Sequence, residues 1–187
     1  TDKKHSAINT LRTRGRRVVA EAVIKKDVLA RLMRVDTRDL FRARQVSNAG
    51  SMLAGSAYNG PHAANAIAAI FIACGQDAAN VAESHAAVTY CQLLDDGDYY
   101  WSITLTSLIV ATYGGGTGLP TQRECLEMLG CYGAGKADKF AEICAGTVLA
   151  GETSLSSAVP CTLNSTAFAA VPRFRYGDVV QDCRNEK

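Results

Sequence analysis

Several features that would assign this sequence to a large functional class are absent from it. Its three histidines are not spaced with cysteines or with one another as zinc ligands are, so we predict no metal site. Its seven cysteines include no CxxC pair, and Cys74, Cys125 and Cys144 fall within apolar helical patterns. We interpret these three as small core residues of a protein in a reducing, cytoplasmic compartment.

Charge and hydropathy argue against two kinds of partner. The formal net charge is +2, and the one dense basic run, residues 12–17, has no interleaved aromatic side chains. We therefore predict no nucleic-acid partner and interpret the run as solvated surface rather than a phosphate-binding patch. The longest apolar stretch, residues 63–73, is interrupted by Asn65 and is too short to span a bilayer. We predict no membrane segment and no signal peptide.

The composition that remains is that of a folded domain. The chain has 187 residues, of which 48% are hydrophobic, enough to form a core. Hydrophobic periodicity predicts strands over residues 17–24, 89–94 and 99–110, and helices over residues 26–33, 38–57, 61–75, 76–86, 120–130 and 136–156. We therefore predict a helix-rich α+β fold with a small antiparallel sheet.

Two parts of the predicted fold differ in character. The helix over residues 61–75 is apolar nearly all round, which predicts a central buried helix wrapped by other helices. Residues 1–158 are predicted to form the core. Residues 159–187 contain Pro160 and Pro172 and show no clear period, so an irregular C-terminal tail is expected there.

Four short motifs occur in one order along the chain. They are TDKK at residues 1–4, PHAAN at 61–65, ACGQD at 73–77 and GGGT at 114–117. Together they resemble the C-terminal half of the catalytic domain of class I, eukaryotic-type, 3-hydroxy-3-methylglutaryl-CoA (HMG-CoA) reductases. The resemblance covers about five-sixths of the chain. It implies the core of that family's large domain, and a homodimer, since these reductases place their active sites between two subunits.

The resemblance gives Lys3 a role that composition alone does not. Between Asp2 and Lys4, Lys3 would otherwise be a solvated surface charge. The resemblance implies that Lys3 is the lysine that stabilises the developing alkoxide, and that Asp2 and Lys4 contact the hydroxymethylglutaryl group. An ammonium group in a partly dry cleft stabilises such an anion far better than it would in water.

Asp98 is predicted to be the second catalytic residue. Counting back from the glycine run places it at the family's active-site aspartate, which holds the catalytic lysine. A Lys3–Asp98 pair with coupled titration is therefore expected. From the residues alone, Asp98 is a turn residue that ends the DDGD segment between two predicted strands.

A second group of candidate residues lies at a predicted helix start. His62 and Asn65 are three residues apart and so share one helix face. The resemblance implies that they help to hold the substrate, and a helix N-terminus favours an anionic ligand. Alternatively, His62 bonds to the backbone at the helix end.

The glycine run at residues 114–118 does not match a dinucleotide fingerprint. Leu119 stands where that fingerprint needs a glycine, and no acidic residue follows at the right distance within a βαβ unit. A tight structural loop before the helix at Pro120 is the better interpretation.

The sequence departs from the family pattern at several positions. The family's catalytic glutamate and its small nicotinamide-binding domain would precede Thr1, and no histidine follows His85, although the family's proton-donating histidine should follow the helix with Gly151 and Glu152. Val46 stands near the family's substrate-carboxylate lysine, and residues 108–112 lack its glutamate and glycine. We expect no cofactor, unless NADPH is bound by an upstream or separate domain.

Three functions remain open on this basis. The leading hypothesis is a non-redox enzyme of secondary metabolism that uses Lys3 and Asp98 for cyclisation, isomerisation or lyase chemistry on an acyl, CoA-ester or polyketide-like small molecule. The second is a piece of a split or longer HMG-CoA reductase that makes mevalonate with NADPH. The third is a non-catalytic module for ligand binding, regulation or inhibitor resistance.

Overall fold

A computed structural model describes residues 2–12 and 14–164, and it confirms a helix-rich α+β fold. The strands are β1 (Arg16–Ile24), β2 (Ala87–Leu93) and β3 (Tyr99–Leu108). The helices are α1 (Lys26–Val28), which continues as a π-helix (Leu29–Met33), α2 (Thr37–Leu53), α3 (Ala63–Ala73), α4 (Val81–Ser84), α5 (Pro120–Met128) and α6 (Ala137–Asn164). Short 3-10 helices cover Ala7–Thr10, Ala78–Asn80 and Gly115–Gly118.

The three strands form one antiparallel sheet with the order β1-β3-β2. The predicted hairpin joins β2 to β3, and Thr104 of β3 lies between Val19 and Val88 in the register. Successive side chains of a strand point to opposite faces of the sheet, so Trp101 and Ile103 lie on one face and Thr104 on the other. Trp101 and Ile103 are buried, whereas Val19 and Val88 are exposed. One face of the sheet therefore carries the core and the other is open.

Helix α6 covers the buried face of the sheet. It packs against β1 and β3 and also against α2 and α3, and its Phe140 and Cys144 are fully buried. Helix α3, the predicted central helix, buries Ile67 and Phe71 completely but leaves Ile72 67% exposed. The length of α3 separates the candidate residues at its start, His62 and Asn65, from residues that lie near its C-terminal end.

The elements differ from the prediction where local turns interrupt a periodic pattern. The helix expected over residues 76–86 is a 3-10 turn followed by the four-residue α4, because the Asp77 side chain caps a new turn by accepting from the Ala79 amide. Helix α6 continues to Asn164, so the predicted boundary after residue 158 falls inside it. The predicted irregular tail stays a prediction, since residues 165–187 lie outside the described residues. Within the described ranges, no helix combines the length and apolar character needed to cross a bilayer.

Candidate active site

The partner of Lys3 is Asp77, in the third of the four sequence motifs. The Lys3 Nζ atom lies 2.7 Å from Oδ2 of Asp77, and each side chain is 47% exposed. The hydrogen bond and charge of Asp77 raise the pKa of Lys3 above its ordinary value. The hydrogen bond from Lys3 in turn lowers the pKa of Asp77, so both groups stay charged. The Lys3 ammonium group is thus a cation that Asp77 holds in one direction, and at 47% exposure it remains accessible to a ligand.

The loop that carries Asp77 is fastened to the glycine run. The Gln76 side chain donates to the Ala111 carbonyl and accepts from the Ala111 amide, both at 2.8 Å. Gly75 has φ +66°, and a side chain there would collide with the backbone of Gly116. The glycine run is therefore a structural support for Asp77, and its close backbone approach leaves no room for a side chain at Gly75.

The loop that carries Lys3 is fastened by an ion pair between the buried Glu83 and the partly exposed Arg14. Lys3 has a left-handed backbone with φ 54°, and its amide donates to Oε1 of Glu83 at 2.5 Å. Arg14 donates to both carboxylate oxygens of Glu83 at 2.8 to 3.2 Å. Glu83 is fully buried, and the Arg14 hydrogen bonds lower its pKa. Arg14 also donates to Asp2 at 2.5 Å. We call Asp2, Lys3, Arg14, Asp77 and Glu83 the Lys3 cluster.

Asp98 has a different partner from the predicted one. Its Oδ2 atom lies 2.6 Å from Lys25 Nζ, and its Oδ1 accepts from the Lys26 amide at 3.1 Å. The Asp98 amide donates to Asp96 across the turn, and the Asp98 side chain is only 5% exposed. Asp98 therefore closes the β2–β3 hairpin against the end of β1, as the turn interpretation had it.

Lys3 and Asp98 do not meet within the chain. Glu83, which holds the Lys3 amide, lies just before β2, whereas Asp98 follows β2 at the hairpin turn. A strand of seven residues spans about 20 Å, so the two side chains lie near opposite ends of the sheet. Counting back from the glycine run selected Asp98, although Asp77 already stood inside a matching motif. That motif was the signal that the sequence reasoning missed.

His62 and Asn65 lie at the start of α3, as predicted. Oε1 of Glu152 accepts from the His62 amide at 2.7 Å and from the Ala63 amide at 3.1 Å. The His62 ring lies against Gly151, where a methyl group would collide with it, and burial lowers the pKa of His62. Asn65 is exposed. We call His62, Asn65, Gly151 and Glu152 the α3 entry.

Glu152 has an unusual environment. It is fully buried, and its Oε2 atom has no hydrogen-bond partner among the described residues. Burial raises its pKa to about 7, an effect that the two backbone hydrogen bonds and the charge of Arg44 only partly oppose. The sequence reasoning used Glu152 only as a landmark, since a single glutamate within an apolar helix does not reveal which backbone groups it meets.

The Lys3 cluster and the α3 entry are far apart in one chain. Asp77 follows the C-terminal end of α3, whereas His62 precedes its first residue. A helix of 11 residues is about 16 Å long. Lys4 lies with the Lys3 cluster, where its Nζ is 3.5 Å from the Asp2 carbonyl oxygen. The predicted substrate residues are therefore divided between the two ends of α3.

His5, Tyr58 and His85 form an aromatic cluster that the sequence did not predict. Two of its members, His5 and His85, are each two positions in sequence from a residue of the Lys3 cluster. His85 Nε2 is 2.7 Å from the Tyr58 hydroxyl, and its Nδ1 is 2.6 Å from the Val81 carbonyl oxygen. Because a carbonyl oxygen can only accept, His85 Nδ1 donates to Val81, and Nε2 and the Tyr58 hydroxyl share the second hydrogen bond. The His5 ring packs edge-on against Tyr58.

Cysteines and cavities add little to the candidate site. Cys74 and Cys144 are buried and Cys125 is half-buried, all as free thiols, which confirms them as core residues. The cytoplasmic location stays a prediction. In the described part of the chain, no three His, Cys, Asp or Glu side chains come together as metal ligands. An apolar cavity of about 310 Å³ between Leu29, Leu32 and Leu149 is lined by none of the candidate residues.

Comparison with known proteins places the chain in a family. The family model described as hydroxymethylglutaryl-coenzyme A reductase matches residues 1–163. The chain belongs to the HMG-CoA reductase family. The match reaches slightly beyond the predicted core and agrees with the resemblance seen in the four motifs.

Curated relatives carry the same name. The chain is 49% identical over 165 residues to the HMG-CoA reductase of Aeropyrum pernix, covering 85% of the chain and 39% of the relative. It is 42% identical over 159 residues to that of Methanocaldococcus jannaschii, covering 84% of the chain and 39% of the relative. It is 43% identical over 169 residues to HMG-CoA reductase 2 of Hevea brasiliensis, covering 85% of the chain and 80% of the relative.

These comparisons correct the leading functional hypothesis. A non-redox cyclase, isomerase or lyase acting on a polyketide-like substrate is wrong, because the curated relatives are named reductases. The sequence departures near Val46 and after His85 had favoured that hypothesis. The chain spans about two fifths of the length of the first curated relatives, so a reductase activity would belong to a larger protein.

Proposed function

We propose that this chain is part of an HMG-CoA reductase that makes mevalonate with NADPH, and that it supplies the catalytic lysine and the aspartate that holds it. The contact of 2.7 Å between Lys3 and Asp77 carries this proposal. It joins residues 74 positions apart in two of the four motifs, and both motifs belong to the segment shared with named reductases.

The chemistry needs a cation where Lys3 stands. Reduction of a thioester places negative charge on the carbonyl oxygen, and a nicotinamide cofactor supplies the hydride. The Lys3 ammonium group can stabilise that charge and donate a proton to the oxygen. Asp77 fixes the direction of the ammonium group and keeps it protonated. Asp98 has no part in this proposal, because it is engaged with Lys25 at the hairpin.

The described residues do not fit a dinucleotide cofactor. Their sheet is antiparallel, so it lacks the parallel βαβ unit of a Rossmann fold, and the glycine run is packed against Gly75. We therefore assign no described residue of this chain to NADPH binding.

The substrate would be a CoA ester bound by residues from both clusters. Asp2 and Lys4 lie beside Lys3, where they can contact the acyl group. His62 and Asn65 lie about 16 Å away along α3, too far to reach the same carbonyl in one chain. A homodimer that places one copy's α3 entry beside the other copy's Lys3 cluster would complete the site.

The surface offers apolar area for such a dimer. Val19 and Val23 on the open face of the sheet are each 53% exposed, and Tyr90, on the same face but across β3, is 56% exposed. On the helical side, Leu53 and Met52 are 90% and 79% exposed. Exposed apolar side chains of this number favour association between copies.

A turnover assay tests the proposed activity. NADPH consumption with HMG-CoA is measured for this chain alone, and for a chimera that joins it to the preceding part of the Aeropyrum pernix reductase. We expect turnover from the chimera and its loss on Lys3→Ala. Tight binding of HMG-CoA without turnover in the chimera would instead indicate a non-catalytic module.

A complementation assay tests the shared site. Lys3→Ala and Asn65→Ala chimeras are each expected to be nearly inactive. Co-refolding equal amounts of both should restore about a quarter of the wild-type activity, because half of the dimers are mixed and each mixed dimer has one intact site. A monomer by light scattering, or no recovery on mixing, would contradict the dimer.

A further inference from the structure

We propose that Arg14 and Glu83 are positioning residues for catalysis, whose ion pair holds the backbone of Lys3 so that its side chain reaches Asp77. The proposal deepens the proposed function, on which it rests for the claim that Lys3 meets substrate. The claim that the ion pair places Lys3 does not depend on the reaction.

The first observation is the backbone of Lys3. Its φ of 54° lies in the left-handed region, which residues other than glycine, asparagine and aspartate rarely adopt. Such a conformation persists only where surrounding contacts impose it. The contact here is the bond of 2.5 Å from the Lys3 amide to Oε1 of Glu83.

The second observation is the cost of burying Glu83. A fully buried carboxylate is unfavourable unless a cation and hydrogen-bond donors compensate it. Arg14 supplies both through Nε and Nη2, which together reach both carboxylate oxygens. The planar guanidinium fixes the orientation of the carboxylate as well as its charge. Oε1 is thereby aimed at the Lys3 amide.

The third observation is that Arg14 bonds to both sides of the Lys3–Asp77 contact. It donates to Asp2, the residue before Lys3, and to Asn80, which lies between Asp77 and Glu83, at 3.1 Å. One guanidinium thus links the Lys3 loop to the turn that carries Asp77. A displacement of a catalytic group by about 1 Å can lower kcat substantially. Loss of this link is therefore expected to lower kcat.

Two variants separate positioning from plain stability. Arg14→Lys keeps the positive charge but loses the planar guanidinium that reaches both oxygens of Glu83. Glu83→Gln keeps an acceptor for the Lys3 amide but removes the negative charge that pairs with Arg14. Glu127→Gln is the matched control, since it breaks the exposed pair with Arg123, which lies in α5 and outside the Lys3 cluster. Thermal unfolding identifies any variant that fails to fold.

The first measurement follows Lys3 directly in this chain. Lysine amines are labelled as ¹³C-dimethylamines, the Lys3 signal is assigned by its loss in Lys3→Arg, and its titration is followed by NMR. The groups that face Lys3 are Asp77, Asp2 and Arg14. We expect the pKa of Lys3 to lie above the ordinary lysine value, and to fall toward that value in Arg14→Lys and Glu83→Gln but not in Glu127→Gln. An unchanged Lys3 titration in either variant that folds would overturn the proposal.

The second measurement is kinetic, in the chimera with the Aeropyrum pernix part. Both variants should lower kcat about tenfold or more while the KM for HMG-CoA changes little, because they misplace a group that acts in the transition state. An unchanged kcat with a shifted Lys3 titration would overturn the catalytic half of the proposal. Wild-type inactivity would count against the proposed function and leave the NMR result standing.

Discussion

Two glutamates are fully buried near opposite ends of helix α3, and their surroundings shift their pKa values in opposite directions. Glu83 lies in the Lys3 cluster, where Arg14 reaches both of its oxygens and lowers its pKa. Glu152 lies at the α3 entry, where two backbone amides reach one oxygen and burial raises its pKa to about 7.

The difference separates a fixed charge from a titratable one. A carboxylate paired with a guanidinium stays ionised and can orient a loop over a wide pH range. A buried carboxylate that accepts hydrogen bonds only from backbone amides, with no cation bonded to it, has a pKa near neutral pH and so can take up a proton there. The Lys3 cluster should therefore respond mainly to changes of its partners, and the α3 entry mainly to pH.

The largest expected effect separates the two lysine–aspartate pairs of the molecule. Lys3→Ala should lower kcat of the chimera roughly 100- to 1000-fold, because it removes the cation at the developing charge. Lys25→Ala breaks the pair with Asp98, which has the same chemistry and nearly the same length, but should change kcat less than about twofold. Similar losses in both variants would show that the Lys3 cluster has no special role.

The sequence predicted the Lys3 loop but not its partners. The motif at residues 1–4 identified Lys3, and period-two and helical patterns located β1, the β2–β3 hairpin and α6. Asp77 stood inside a matching motif that was passed over, whereas Arg14 and Glu83 were missed because their contacts join residues 69 to 80 positions apart, and no local pattern records such contacts. Such contacts appear only once α3 and α4 have folded back against the start of the chain.

Asp98 shows the converse failure. Its position relative to the glycine run suggested a catalytic role, whereas its local sequence, an Asp-rich turn with Gly97, already described what the structure shows. The helix expected over residues 76–86 failed for a related reason. Gly75 at positive φ and the capping side chain of Asp77 begin a new turn there. Hydrophobic periodicity alone takes no account of capping residues.

A glycine substitution tests how firmly Asp77 is placed. Gly75→Ala should lower the free energy of unfolding by roughly 4 kcal/mol, since it combines a left-handed backbone with a collision against the Gly116 backbone. Gly114→Ala is the control, because Gly114 has φ +84° but open space around it, and should cost roughly 2 kcal/mol. Urea unfolding measures both, and equal values would contradict the tight packing of this loop.

The pH dependence of stability tests the α3 entry. The pKa of Glu152 is raised from 4.5 to about 7 on folding, so the unfolded chain ionises first as pH rises. Its contribution should be fully present below about pH 4.5, decline by about 3 kcal/mol up to about pH 7, and then level off. Glu152→Gln keeps an acceptor for the two amides and should remove this decline in urea unfolding followed from pH 4.5 to pH 8.

Glu83 supplies the opposite sign in the same experiment. Its pKa is lowered on folding, so its stabilising contribution is present above its ordinary pKa of 4.5 and is lost as pH falls below that value. Glu83→Gln should therefore reduce the loss of stability on the acid side and leave the decline toward pH 7 unchanged. A decline toward pH 7 that survives in Glu152→Gln would contradict the assignment.

The smallest expected effect concerns the His62 ring. Gly151→Ala places a methyl group where the imidazole lies, so the ring should rotate away. Gly146→Ala, in the same helix with open space around it, should stabilise by up to about 1 kcal/mol, and Gly151→Ala should fall short of that gain by about 1 kcal/mol. The NMR signals of the His62 ring should move only in Gly151→Ala, and their constancy would contradict this packing.

The central claim is that Asp77, and not Asp98, holds Lys3. Its most direct test is the NMR titration of the Lys3 amine in Asp77→Asn and in Asp98→Asn. We expect the pKa of Lys3 to fall in Asp77→Asn and to keep its wild-type value in Asp98→Asn. A fall in Asp98→Asn with no change in Asp77→Asn would contradict the claim.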